Sequence, residues 1–545
     1  MKKFITIFTI ALIVATGCTK SDLQLLNPNS PTPASALPTQ TGIEEFTLGI
    51  WSKVGTAANS WLTYALVAHS IMGDEQWSSV GNFGWRYTDQ VNTITLPAPY
   101  NTVVPNIFGV TQQTELESLN TLVSTNLNSN NIFVYEWNLG YFVNGEANIL
   151  LANVATNTAI SANEKIVLQA MGYWWKGFAY SRLGSMYLSG VINNNTDGTT
   201  SNVYVTHQAL ITEANNNFAK SIALLSSLPA PTAGDTYATT MKAVNPPFTL
   251  YPTNRDMMIR EIYTYEARNY LVNMKVAAAT ATDWSAIQAL AVKGMIAGDQ
   301  GFALGMDPTG TNDLSGTQQH VFEWGDNPDM PGWTYMSERL AQDFKPGDAR
   351  FTKGVITFSV AKTVVNNTSR GIQFGTRYVA QLIENGGYWA TFNHSGYEPF
   401  ACTYEENALM LAETNIRTGS IDAGLAYVDQ VRAAQGSGLA AVSGTSLGSA
   451  AAIEELRKER RIGLYMRGLA FYDARRWGVT APASGGGGRA NCNVVVPNNL
   501  LGNPAATGFT VLACFMDYSY MDYWDVPATE FSYNIPASGS AAIAN

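Results

Sequence analysis

The sequence predicts an all-α protein in which paired helices form a superhelix with long loop-rich elaborations. Apolar residues recur at helical spacing in stretches of 14 to 26 residues, and these stretches come in pairs. Between the pairs lie long segments rich in Asn, Gly, Thr, Pro and aromatic residues, which exceed the usual length of connectors. Paired helices of this kind are typical of a tetratricopeptide-like array, although the strict repeat consensus is absent.

Six amphipathic stretches form three predicted helix pairs: 163–188 with 207–228, 255–279 with 283–296, and 404–417 with 421–434. Small residues at Gly177, Ser181 and Gly184 line one narrow face of the first helix, where another helix can approach closely. Asp283 is a suitable N-cap for its helix. We therefore expect one domain over 41–545, with loop insertions near 73–132, 229–254, 298–403 and 479–545.

The stretch 453–478 carries an unusual density of charge in a chain with only 14% charged residues. Its pattern predicts one helix with a single core face. Two pairs of opposite charge stand at helical spacing: Glu454 with Lys458 and Asp473 with Arg476. Glu459 and Arg467 have no opposite charge three or four residues away. They either face water or pair with residues distant in the sequence, and we expect the distant pairing for Glu459.

The first 17 residues resemble a lipoprotein signal peptide. Lys2 and Lys3 precede a predominantly apolar region of eleven residues, 4–14, which is too short to span a bilayer as a helix. The sequence Ala-Thr-Gly-Cys at 15–18 then resembles a lipobox, which makes Cys18 the expected site of lipidation. An ordinary secretory signal with an incidental cysteine is the alternative. Residues 18–40, rich in Pro, Asn and Ser, are predicted to be an extended lipidated tether.

Three further cysteines follow Cys18, namely Cys402, Cys492 and Cys514. An odd number permits one disulfide and one free thiol outside the cytoplasm. Cys492 and Cys514 flank a loop-like stretch and are the expected pair, while two independent thiols are the alternative. The net charge of −10 argues against binding to nucleic acid.

Enzyme motifs are weak in this chain. Residues 444–448 fit G-x-S-x-G, but no histidine follows His394, so the order of a hydrolase triad is missing. The four histidines lack metal-ligand spacing, and the glycines at 485–488 lack a following Lys-Ser or Lys-Thr. The sequence predicts no catalysis and no cofactor, with calcium left open. A pair of carboxylates for glycoside hydrolysis would escape detection in sequence.

Aromatic residues within polar loops indicate a binding surface for sugar rings. An indole or phenol ring buries area at low entropic cost, and nearby polar groups hydrogen-bond hydroxyls. The expected stacking residues are Trp77, Trp85, Trp324, Trp333, Tyr335 and Trp389. The expected polar contacts are Asp74, Asn82 and Arg86. The competing interpretation is that these rings fill hydrophobic gaps beneath the loops.

The charged stretch resembles the C-terminal signature of the SusD/RagB family of outer-membrane nutrient-binding lipoproteins. The matching residues are Glu459, Arg460, Arg461, Gly468, Asp473, Arg475, Arg476, Trp477 and Gly478. Arg467 stands where the family commonly has an acidic residue. Five further segments resemble the family more weakly and occur in the family's order along the chain: 137–151, 168–187, 408–419, 431–432 and 525–527.

The resemblance implies a tetratricopeptide-like superhelix and a surface-exposed outer-membrane lipoprotein. Such a protein would bind an oligosaccharide or polysaccharide without catalysis and deliver it to a SusC-like TonB-dependent transporter. In the family the charged stretch is structural. Three alternatives differ in function: a peptide-binding protein on the same scaffold, a structural or adhesive surface lipoprotein, and a lipoprotein glycosidase.

Overall fold

The computed structural model describes residues 33–55, 61–78, 84–89, 91–106, 109–120, 131–245, 252–306, 334–362, 374–380, 383–384, 388–389, 396–399 and 401–545. The described helices are, in chain order, α1 (Pro33–Ala36), α2 (Gln40–Gly55), α3 (Trp61–Met72), α4 (Trp85–Thr88), α5 (Gln112–Asn120), α6 (Phe133–Thr156), α7 (Ala162–Met186), α8 (His207–Ser227), α9 (Thr236–Val244), α10 (Arg255–Val272), α11 (Ala281–Ala291), α12 (Glu338–Asp343), α13 (Ala349–Gly354), α14 (Tyr404–Arg417), α15 (Ile421–Ala434), α16 (Ser449–Gly463), α17 (Ala470–Arg476) and α18 (Ala528–Phe531).

The described strands are β1 (Gln76–Ser78), β2 (Thr93–Thr95), β3 (Val103–Pro105), β4 (Ser189–Gly190), β5 (Val205–Thr206), β6 (Ala303–Met306), β7 (Thr334–Met336), β8 (Val355–Lys362), β9 (Thr376–Ala380), β10 (Ile383–Glu384), β11 (Tyr388–Trp389), β12 (Gly396–Pro399), β13 (Arg489–Pro497) and β14 (Phe509–Asp517). Two sheets contain four strands, in the orders β1-β7-β9-β8 and β13-β14-β2-β3. These strands lie in segments that the sequence predicted only as loop-rich.

The helical scaffold confirms the predicted pairs. Helix α7 packs between α6 and α8, α10 packs on α11, and α14 packs on α15. The predicted small face of α7 makes the close contact with α8, because a Cβ atom at Gly177 would lie 2.4 Å from the ring of Phe218. Helices α14 and α15 begin and end where the sequence places them. The chain is thus a predominantly helical protein built from helix pairs, as the sequence predicts.

The charged stretch 453–478 differs from the prediction, because it forms two helices rather than one. Helix α16 ends at Gly463 and α17 begins at Ala470. Met466 (φ 58°) and Gly468 (φ 69°) adopt left-handed backbone conformations between them. The reversal brings Asp473 to Arg460, whose Nε lies 2.7 Å from the carboxylate. Both side chains are buried, so each requires the other's charge.

Glu459 confirms the expected distant pairing. Its carboxylate accepts hydrogen bonds from Arg350 of α13 at 2.5 Å and from Arg432 of α15 at 2.8 Å. The predicted local pairs are also present, at 3.9 Å between Lys458 and Glu454 and at 2.7 Å between Arg476 and Asp473. Because the carboxylate of Glu459 is fully buried, α16 is held to two other helices by charge.

Two smaller predictions are corrected. The tether was expected to extend to residue 40, but its last residues fold onto the body, where Leu37 is buried and its carbonyl accepts a hydrogen bond from Asn157. The N-cap of α11 is Thr280 rather than Asp283. Asp283 is instead the third helical residue and completes a reciprocal capping box with Thr280. Cys18 and the segment 1–17, the expected signal peptide, lie outside the described residues. Within the described part, no helix is both long and apolar enough to cross a membrane.

Candidate functional site

Asp74, a predicted ligand contact, is the centre of a buried ion cluster. It follows α3 in a left-handed conformation (φ 61°). Its carboxylate accepts a hydrogen bond from Nη2 of Arg339 at 2.6 Å and pairs with Nε of Arg489 at 3.1 Å. Burial alone would raise the pKa of Asp74, but these two guanidinium groups outweigh it and lower the pKa. Asp74 is therefore an anionic anchor for arginines rather than an exposed hydrogen-bonding group.

The two predicted stacking tryptophans that are nearest to Asp74 in the sequence are also buried. Trp77 on β1 and Tyr335 on β7 are register partners in the antiparallel sheet, with ring centroids 5.8 Å apart. Trp77 and Trp85 are 0% exposed, and Tyr335 is 8% exposed. A sugar ring needs an accessible indole face. The prediction that these three rings form a stacking surface is therefore wrong for this structure, in which they are part of the hydrophobic core.

The remaining predicted contacts are not described at the level of side chains. Asn82, Trp324 and Trp333 lie outside the described residues. Arg86 lies on α4 and Trp389 on β11, and their side chains also fall outside the described part. These five residues remain sequence predictions.

A cleft of about 420 Å³ lies beside the ion cluster, between α12, α16 and the start of β13. Five basic and two acidic side chains line it. The basic ones are Arg339, Arg457, Lys458, Arg461 and Arg489. The acidic ones are Asp343 and Glu454. We refer to this feature as the basic cleft.

The arginines of the basic cleft differ in how fully they are paired. Arg339 and Arg489 share the single carboxylate of Asp74. Arg461 pairs with Asp343 at 3.1 Å and donates to the carbonyl of Asp74 at 2.7 Å. Two carboxylates therefore serve three guanidinium groups. Positive charge remains in excess before Arg457 is counted.

The side chain of Arg457 has no hydrogen bond or ion pair with any residue in the described part of the chain. Its guanidinium carbon lies 4.8 Å from the ring centroid of Trp477, a cation–π contact that holds the side chain in place. Burial lowers the pKa of Arg457, attraction to Glu454 opposes this, and repulsion from Arg489, Arg476 and Arg461 lowers the pKa further. The guanidinium thus has one carboxylate near enough to attract it and three other arginines that repel it.

Cys492 lines the same cleft and lies opposite Cys514 in the β13–β14 register. Both are buried free thiols, and the Cys492 Sγ donates to the Cys514 carbonyl at 3.3 Å. The expected disulfide between them is therefore absent here, and the alternative of two independent thiols describes this structure. Burial raises the pKa of Cys492 to about 11 and that of Cys514 to about 12.

Among the described residues, no group of three or more His, Cys, Asp and Glu side chains is placed to hold a metal ion. His69 is buried beside Tyr472, and burial lowers its pKa well below its usual value. His207 stacks on Tyr523 with ring centroids 3.8 Å apart. His320 and His394 lie outside the described residues.

Sequence reasoning missed the basic cleft because it treated the charged stretch as structural throughout. A signal was present: Arg457 and Arg461 stand four residues apart, so they share one face of α16. A second signal is Arg489, directly after the glycine run 485–488. These arginines lie beside Arg339 and Asp74 only because segments distant in the sequence pack together, and the spacing of residues along the chain does not show that packing.

No protein-family model and no curated relative matches the sequence. Solved structures do match. A SusD-like protein from Bacteroides fragilis NCTC 9343 is 13% identical, with a TM-score of 0.56 over 92% of this chain and 96% of that one. A SusD-like carbohydrate binding protein from Bacteroides vulgatus ATCC 8482 is 12% identical, with a TM-score of 0.54 over 92% of this chain and 98% of that one. These likenesses show the fold that the sequence resemblance implies.

Proposed function

From its SusD-like fold, we propose that this chain is a lipid-anchored outer-membrane protein at the cell surface that binds oligosaccharides or polysaccharides. It acts without catalysis and passes its ligand to a SusC-like TonB-dependent transporter. The observation that carries the proposal is the likeness to a carbohydrate binding protein over nearly the full length of both chains. The lipobox-like sequence ending at Cys18 supports the anchor.

We assign the stacking contacts with the ligand to the loop-rich segments rather than to the helix pairs. Trp77 and Trp85 are excluded from this role, because both belong to the hydrophobic core. Trp333 directly precedes β7, which pairs with β1. We propose Trp324, Trp333 and Trp389 as the stacking residues that remain from the sequence prediction, since rigid elements commonly present binding loops.

Calorimetry against a panel of neutral and acidic glycans tests the proposed function. Replacing an essential stacking tryptophan by alanine should weaken binding by about 2 kcal/mol or more, as for buried aromatic anchors. Tyr533→Ala is a suitable control, because that ring is 90% exposed on the C-terminal tail. If Trp324→Ala, Trp333→Ala and Trp389→Ala all bind as the wild type does, the proposed stacking surface is wrong.

Two further measurements separate this proposal from its rivals. Co-purification with a β-barrel membrane protein supports the delivery role, whereas capture of another protein class favours an adhesive role. Incubation of each bound glycan with the purified protein should leave it intact. Release of shorter products would identify a glycosidase and contradict a binding-only protein.

A further inference from the structure

We infer that the basic cleft binds the anionic group, a carboxylate or a sulfate ester, of an acidic saccharide. The inference deepens the proposed function and rests on it, because it names the class of saccharide and one contact site. Its support is the combination of unbalanced charge, a fixed wall and a partnerless guanidinium described above.

The sign of the cleft is opposite to that of the chain. The whole sequence carries a net charge of −10, yet five basic side chains line this cavity against two acidic ones, and the buried Asp74 adds only a third carboxylate. Clustered charge in a concave surface concentrates its own field and attracts ligands of opposite sign. A basic cleft on a protein of negative net charge therefore favours anionic ligands at this position.

Arg457 is the residue with unused binding capacity. The neighbouring Arg339, Arg461 and Arg489 each have a carboxylate partner. Among the described residues, the Arg457 guanidinium is hydrogen-bonded to no carboxylate: it lies over the ring of Trp477 and is attracted by Glu454 without an ion pair. A guanidinium presents a planar fork of N–H donors that matches the two oxygens of a carboxylate or sulfate. An anion bound there would relieve the repulsion that Arg457 experiences from Arg461 and Arg489.

The wall of the cleft is held in place before any ligand arrives. Gln342 of α12 donates to the carbonyl of Asn491 at 2.9 Å and accepts from the amide of Asn493 at 2.8 Å. Between Arg489 and Cys492 the strand register shifts, with Asn491 in a left-handed conformation (φ 53°). Such bulges redirect side chains and are frequent beside binding sites. A preorganised wall loses little entropy on binding.

The size and the lining of the cleft favour a saccharide over a peptide. A volume of about 420 Å³ accommodates a small sugar unit. Amide groups of Gln342 and Asn491 can serve hydroxyls, and the apolar contribution comes mainly from Trp477 and Val479. Peptide sites that add a strand or hold a helix would offer an open strand edge or apolar pockets, whereas an acidic peptide would use the same clustered arginines and is the competing ligand to test.

The test compares charged and neutral forms of the same saccharides by calorimetry on the full chain. The probes are an oligogalacturonide with its carboxyl-reduced form and a sulfated oligosaccharide with its desulfated form. Arg457→Gln is the main variant, because it breaks no ion pair with a described residue. Lys242→Gln is the matched control, since it removes the same charge from an exposed position on α9. A polyglutamate peptide tests the competing ligand class.

We expect at least one charged form to bind the wild type about tenfold more tightly than its neutral counterpart, a difference of about 1.4 kcal/mol. Arg457→Gln should abolish most of that preference, Lys242→Gln should retain it, and added salt should weaken it.

Equal binding of charged and neutral forms would overturn the inference and leave the proposed function intact. A charge preference that survives in Arg457→Gln would place the anion elsewhere and also overturn it. Arg457-dependent binding of polyglutamate without any saccharide binding would contradict both the inference and the proposed function. Binding of neither saccharides nor peptide would do the same.

Discussion

Arg350 and Glu459 are 109 residues apart in the sequence and form a two-pronged ion pair in the core, where neither side chain is more than 1% exposed. Asp348 binds the same guanidinium at 2.8 Å, and Arg432 binds the same carboxylate at 2.8 Å. The network joins α13, α15 and α16. Opposite charges are thus balanced inside the protein, and this balance makes the excess of positive charge at the basic cleft distinctive.

Glu459→Ala should lower the free energy of unfolding by about 3–5 kcal/mol, because it leaves two buried guanidinium groups without their shared partner. Urea denaturation measures this change. Asp522→Ala is the control: it removes an ion pair with Lys275 that is equally short, at 2.5 Å, but whose side chains are more than 40% exposed. The control should change stability by less than about 1 kcal/mol. Glycan affinity of the folded Glu459→Ala protein should be unchanged, and a loss would place Glu459 in the binding site.

Acid should weaken the contact between Glu413 and Arg476. Burial alone would raise the pKa of Glu413, but Arg476, Arg460 and Arg417 outweigh it and lower the pKa to about 2 from 4.5. Because the folded state holds the proton less tightly than the unfolded state, this contribution is complete above pH 4.5 and is lost as the pH falls towards 2.

Glu413→Gln should therefore flatten the acid limb of the stability curve by up to roughly 3 kcal/mol, at about 1.4 kcal/mol for each unit of pKa. Urea denaturation at intervals between neutral pH and pH 3 measures the slope for both proteins. Parallel curves for the variant and the wild type would show that Glu413 does not titrate as described.

Two glycines should respond oppositely to alanine. At Gly177 of α7 the added Cβ would lie 2.4 Å from the ring of Phe218, so Gly177→Ala should destabilise the protein by about 1–3 kcal/mol through overpacking. At Gly145 of α6 the same atom would have nothing within 4 Å, so Gly145→Ala should stabilise it by about 0.5–1 kcal/mol. Thermal unfolding of the two variants measures both effects. Equal shifts would contradict the close approach of α7 and α8.

Cys402, Cys492 and Cys514 should react slowly with thiol reagents in the native protein. All three are buried, and burial raises their pKa values, so little thiolate is present at pH 8. Unfolding in urea should expose them to rapid alkylation, which mass spectrometry can count. A native mass lower by two hydrogens would instead show that Cys492 and Cys514 have formed the disulfide expected from the sequence.

The helical scaffold can be predicted from the sequence because the apolar pattern that indicates each helix lies within the helix itself. The pattern of 404–417 and 421–434 predicts the ends of α14 and α15 correctly, since each apolar stripe contacts the adjacent helix. The break between α16 and α17 is hidden by the apolar pattern, which continues through it. Met466 and Gly468 reverse the chain there and bring Asp473 to Arg460, a contact that helical spacing does not show.

The candidate site was harder to predict from the sequence, because it depends on contacts between segments that are distant in the chain. The polar neighbours of Trp77 predict an exposed ring, but β1 pairs with β7 and the ring becomes core. The polarity of Asp74 predicts a ligand contact, but its role depends on arginines from α12 and β13. Sequence identifies residue types that bind ligands. It does not identify which of them are buried in the core or paired with other residues of the same protein.

The sheet β13-β14-β2-β3 joins the two ends of the chain, because Phe515 pairs with Thr95 and Asp517 with Thr93. During synthesis the short β2–β3 hairpin must therefore wait with an open edge until nearly the whole polypeptide has emerged. Contacts so far apart in sequence form slowly. The same arrangement makes late truncations severe, as they would leave the edge of β2 open to other chains.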